Sequence, residues 1–181
     1  PAEGAEAKPD RGPVESRRSR VLVVDDNPMN LQVACAMLER LIAHVAENGV
    51  DMEASSAAGK VYRYFNTSAR LHHEDEEQDL FPLLIRQSLK LADLIYSLKD
   101  EHRTLDELWK AIEPELRRMP EPADRDAFIA AATTFCELNR AHVLRENSDF
   151  LPLAQSSLSS QQLGDIGRSM ARRRGAPYPS R

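Results

Sequence analysis

Residues able to do chemistry gather in one stretch, Leu71-His72-His73-Glu74-Asp75-Glu76-Glu77-Gln78-Asp79-Leu80-Phe81-Pro82. Residues four apart share a face of an α-helix, so His72 stands beside Glu76 and His73 beside Glu77. A shorter echo follows at His142-Val-Leu-Arg-Glu146, and in both places the His lies ten residues before a Pro and the Glu six before it. His102 with Asp106 makes a third pair between them. A single His/Glu pair is ordinarily a solvated ion pair worth a few tenths of a kcal/mol, ~0.2–0.5. Here four of the five histidines join the pattern, and that many coincidences favour a metal site. Mixed imidazole and carboxylate ligands suit iron, manganese or zinc, and helix bundles hold two-metal sites with inward-pointing Glu and His.

The elements that must carry these residues are long amphipathic helices. Asn27-Pro28 opens the first, expected over 28–47 with Leu31, Cys35, Leu38, Ile42 and Val45 inward, and Asn48-Gly49 closes it. The second spans about 51–87 with Pro82 bending or interrupting its last turns, the third about 91–118 with a possible kink at Pro114, and the fourth about 123–154. Short connections between such helices predict an all-α, up-down-up-down four-helix bundle. Residues 1–19 read as a disordered leader, 20–156 as the bundle, and 157–181 as a short helix to about 167 followed by a mobile basic tail.

Level along the bundle follows from a rise of about 1.5 Å per residue. Counted from the turns, His72, His102 and His142 share one layer, whereas His44 lies roughly 25 Å away at a bundle end. Seven residues from those histidines stand Phe65, Trp109 and Phe135, all toward the same end. They would floor the layer and keep water from one side.

Net charge is −5; the first twenty residues contribute +1 and residues 168–181 contribute +5, so the body between carries −11. An acidic body argues against a nucleic-acid partner. No apolar run is long enough to span a membrane and no secretory pattern is present. Cys35 and Cys136 lack CxxC spacing and read as buried free thiols of a cytoplasmic protein.

Over about residues 30–155 the chain resembles hemerythrin-like proteins of the HHE cation-binding type. The marks are His72-His73-x-x-Glu76-Glu77-x-x-Leu80-Phe81-Pro82, Glu101-His102 before Trp109, and His142-x-x-x-Glu146 before Pro152. The resemblance implies a four-helix bundle holding two oxygen-bridged iron ions. His72, His102 and His142 become ligands, Glu76 and Glu146 bridges, and His73 an extra ligand. Glu77 is a second choice for Glu76, and Asp106 a substitute or outer partner. The family also draws a His from its first helix, at a level that here falls near residues 25–30, where no His occurs. Asp25 or Asp26 could supply a carboxylate instead. That segment, Val21-Leu-Val-Val-Asp25-Asp26-Asn-Pro, also resembles the first strand of a response-regulator receiver domain, although the rest of a receiver is missing.

Functionally, this resemblance implies a binding module for dioxygen, nitric oxide or another small diatomic, or a sensor of iron or redox state, rather than an enzyme; a protein partner that reads the state is left unspecified. The enzyme alternative is a di-iron oxidase or peroxide-consuming activity, but the Glu-x-x-His pair of ferritin-like oxidases does not occur. A phosphorelay bundle is the third reading; its His-x-x-Lys-Gly is also missing, since Arg-Thr-Leu-Asp follows His102.

Overall fold

The structure, a computed structural model, describes residues 28–119 and 124–178. These fold into five helices. Helix α1 is Pro28–Asn48. Helix α2 covers 52–84 in consecutive segments: α-helical Met52–Tyr64, a π-turn at Phe65–Ala69, α-helical Arg70–Asp75, a second π-turn at Glu76–Leu80, and Phe81–Leu84. Helix α3 is Leu89–Arg118 and continues through Pro114. Helix α4 joins Arg125–Arg145, a π-turn at Glu146–Phe150, and Leu151–Ser157. Helix α5 is Ser160–Arg173.

Neighbours α1–α2, α2–α3, α3–α4 and α4–α1 are all in contact, which closes the expected up-down-up-down ring. Local chemistry sets the turns. Gly49 takes the left-handed conformation (φ 77°) just past α1, and its N–H donates to Val45 O at 3.1 Å, the αL cap that a Cβ would disfavour. Asp51, Ser88 and Asp124 then accept from the amides of Ala54, Leu91 and Ala127 at the starts of α2, α3 and α4.

Each π-turn that follows a site glutamate precedes a proline. Pro82 has no N–H and its ring crowds the carbonyl four residues back. The chain takes up an extra residue per turn instead of breaking: the amide of Phe81 reaches Glu76 O, and that of Leu151 reaches Glu146 O. The interruption expected at Pro82 thus falls one turn upstream and shapes the glutamate's own turn. Such π-bulges gather at functional sites.

The core is split in two. Leu38, Val45, Phe65, Ile112 and Phe135 belong to a lower cluster, and Leu84, Ile95, Leu98, Phe150 and Ile166 to an upper one. Between them lies a layer of buried polar side chains, His72, Glu76, His102, His142 and Glu146. Burying groups of this kind without full partners costs about 1–3 kcal/mol each, more when charged, so the layer is not there for stability.

The C-terminal segment departs from the expected short helix and mobile tail. Ser159 and Gln162 form a reciprocal capping box that starts α5. The helix then runs to Arg173, beyond the expected end near 167, and Arg173 and Arg174 sit on carboxylates of α2. The basic residues are ordered here because the acidic run of α2 faces them.

Candidate metal centre

Four donors from three helices converge. Glu76 (α2), His102 (α3), and His142 and Glu146 (α4) are all buried, with one ligand atom of each within 4.8 Å of the others. A second set within the same spacing is His73, His102 and His142. Nitrogen and oxygen donors around one ion at about 2.1 Å stand up to about 4.2 Å apart, so the space enclosed is of cation size.

His142 points Nε2 at Glu146 Oε1, 2.8 Å away, and His102 points Nε2 at Glu76 Oε2 at 3.4 Å. His72 Nε2 lies 3.6 Å from Glu146 Oε2 and 3.9 Å from Glu76 Oε2. His73 stacks on the His102 ring with centroids 3.9 Å apart and meets His142 edge-on at 5.7 Å. Buried His102 Nε2, His142 Nε2, Glu76 Oε2 and Glu146 Oε1 form no aligned hydrogen bond. Their lone pairs face a common space, and a divalent cation is the partner that satisfies all of them at once.

Outer partners turn these rings. His102 Nδ1 is 2.8 Å from Glu77 Oε1, and His142 Nδ1 is 2.9 Å from Glu101 Oε2. A carboxylate accepts from the N–H at Nδ1, so the lone pair is left at Nε2, the arrangement found behind metal-ligating imidazoles. Glu101 is held in turn by Arg145, which also donates to Ser97 Oγ at 2.8 Å.

In the metal-free layer the electrostatics leave His73 and Glu146 as free donors and favour a proton on Glu76 and His142. Burial, and then the charges of His102, His72 and His142, push His73 well below the imidazole range, so its ring is neutral with a lone pair to offer. Burial also raises Glu76, as does the facing charge of Glu146. Burial opposes charge on Glu146 too, but the His142 and His72 rings close against it outweigh that and hold its carboxyl well below the usual range. Burial would lower His142; the Glu146 and Glu101 carboxylates beside it reverse that and raise it.

Aromatic rings close the layer on both sides. Phe65 lies 5.0 Å from Trp109 and 4.9 Å from Phe135, with Trp109 and Phe135 5.5 Å apart; this is the expected floor. A roof was not foreseen: Phe81 stacks on His102 at 5.9 Å and meets Phe150 edge-on at 5.3 Å.

His72, His73, Glu76, His102, His142 and Glu146 are therefore brought together. Glu77 is not a substitute for Glu76; it stands behind His102, because the helix is rotated to aim Glu76 inward. Asp106 is exposed and outside the converging donors. Asp25 and Asp26 lie outside the described residues. His44 pairs with Asp51 at the α1–α2 turn, 3.0 Å away, as an end histidine should. Sequence reasoning missed Glu101 as the partner of His142, although it adjoins His102, and missed Asp75, which is buried beside Glu76. The sequence signal for Asp75 was the contrast between the acidic run and the Arg-rich C-terminus.

A helical bundle crossed by a buried His/Glu layer defines the hemerythrin class. The chain belongs to the hemerythrin HHE cation-binding domain family, whose profile matches residues 32–154. It is also similar to an uncharacterized protein of Haemophilus influenzae, 27% identical over 140 residues, which span 77% of this chain and 81% of that protein. The receiver-like reading of residues 20–28 is not borne out: the family match begins downstream of it, and all of that segment but Pro28 lies outside the described residues. Among the described residues no helix is long and apolar enough to cross a membrane.

Proposed function

We propose that the layer holds two iron ions, with Glu76 and Glu146 shared between them and His72, His73, His102 and His142 as nitrogen ligands. The centre binds dioxygen or nitric oxide, or reports iron or redox state. One observation carries this reading: Glu76, His102, His142 and Glu146 are buried together with their donor atoms within 4.8 Å. An iron pair supplies one-electron redox chemistry and an open position for a diatomic molecule. The chain's own residues do the rest. Glu77 and Glu101 keep protons on the outward nitrogens of His102 and His142. Phe65, Trp109 and Phe135 on one side, with Phe81 and Phe150 on the other, exclude water from the layer. The buried free thiols of Cys35 and Cys136 fit a reducing compartment, and the proposal places the protein in the cytoplasm.

The test is iron content together with the visible spectrum of the anaerobic and air-exposed protein. Glu76→Ala and Glu146→Ala should each lower iron from two toward one or none, and His44→Ala should leave it unchanged. Full iron content in both glutamate variants would rule out the shared carboxylates.

A further inference from the structure

We propose that α5 is a strap over the metal layer, latched to α2 by Arg173 and Arg174, and that a bound metal ion exchanges with solvent when the strap lifts. This rests on the metal-centre reading above.

Helix α5 lies beyond the matched family region, which ends at residue 154. It nevertheless completes the bundle at the level of the site. Every core residue of α1 belongs to the lower cluster, whereas Leu158 and Ile166 join the upper one. Among the described residues, α5 therefore covers the upper side that α1 leaves open. It packs on the two segments of α2, Arg70–Asp75 and Glu76–Leu80, that carry His72, His73 and Glu76.

The hold joins apolar packing to a cluster of ion pairs. Ile166 is the buried side chain of α5, and Leu163 and Met170 pack half-buried on the upper cluster beside it. Asp75 is 1% exposed, pairs with Arg173, and has Arg174 Nη1 2.6 Å from its Oδ2. The Arg173 fork also donates to Asp79 Oδ2 at 2.9 Å, and Ser169 Oγ donates to Asp79 Oδ1 at 2.9 Å. Asp75 immediately precedes the π-turn Glu76–Leu80 and Asp79 lies within it, so the latch grips the turn presenting a proposed shared ligand. The two guanidinium charges also offset an acidic run, Glu74 to Glu77, beside a site that needs its carboxylates charged. A helix held by three apolar side chains, only one of them buried, and a cluster of ion pairs is a unit that opens locally, ahead of the global fold.

The experiment loads the full chain with ferrous iron in the absence of air and mixes it with an excess of a ferrous chelator that colours on binding. Arg173→Ala with Arg174→Ala should release iron roughly tenfold faster, about 1.4 kcal/mol off the barrier, with iron content at saturation unchanged. Hydrogen exchange should show α5 amides losing protection in the same variant. Arg168→Ala, which removes an exposed partner of Asp165, should release iron as the wild type does. In the wild type the α5 amides should exchange through a local opening, faster than those of the bundle core. Unchanged release from a double variant whose α5 amides have lost protection would overturn the strap alone. So would a wild type whose α5 amides exchange only with global unfolding, a measurement that decides the matter even if the double variant does not fold. A wild-type chain that takes up no iron would overturn the metal-centre reading, and the strap with it.

Discussion

His142 Nδ1 lies 2.9 Å from Glu101 Oε2, and Glu101 is itself gripped by Arg145. One carboxylate from α3 thereby decides which nitrogen of an α4 imidazole faces the layer. Glu101→Gln keeps the shape but removes the charge, and its amide can donate to Nδ1 and favour the wrong tautomer. Ferrous-iron affinity should fall roughly 10–100-fold, the usual cost of losing an outer partner of a metal-bound His. An anaerobic titration measures it; an unaltered isotherm would leave Glu101 with no part in orienting the ring.

Phe135 is buried and touches both Phe65 and Trp109. Phe135→Ala opens a cavity directly beneath the site. Loss of contacts and incomplete collapse should cost about 3–5 kcal/mol, read from urea unfolding of the metal-free protein. A cost under about 1 kcal/mol would mean the floor repacks, and the water-excluding role assigned to it would fall.

Asp51 gives a pH dependence away from the metal. The Ala54 amide hydrogen bond, then the bond and charge of His44, hold its carboxyl below the usual range. Its folded pKa is thus below the unfolded value of about 3.9. The stabilisation it adds is present above about pH 4 and is lost as pH falls through the folded value. Asp51→Asn keeps a capping oxygen but not the charge, so wild type should be the more stable at neutral pH, with the difference shrinking below about pH 4. A difference in unfolding midpoint that stays constant from neutral pH down to pH 2 would refute the assignment.

Much of the fold and the inward-facing donors of the site are legible in the chain itself, and the partners behind them are not. Helix periodicity names the inward faces, and Asn48-Gly49 and Pro120-Glu-Pro122, with a turn near Lys90, mark the helix ends through backbone chemistry that acts over a few residues. Counting residues from those turns puts His72, His102 and His142 in one layer, sets Phe65, Trp109 and Phe135 below it, and leaves His44 at an end. These inferences need only a constant rise per residue and short connections.

What the sequence by itself determined is therefore which residues could face inward and at what height. Only the tertiary structure decided how each helix is rotated about its axis. A small rotation exchanges Glu76 for Glu77, because neighbours in sequence point about 100° apart on a helix of 3.6 residues per turn. The π-turns before Pro82 and Pro152 shift that rotation by an extra residue, which no regular periodicity anticipates. Glu101 behind His142 and Arg173 on Asp75 are contacts across 41 and 98 residues of chain. Their geometry follows from where the packed helices bring them, and local pattern carries no record of it.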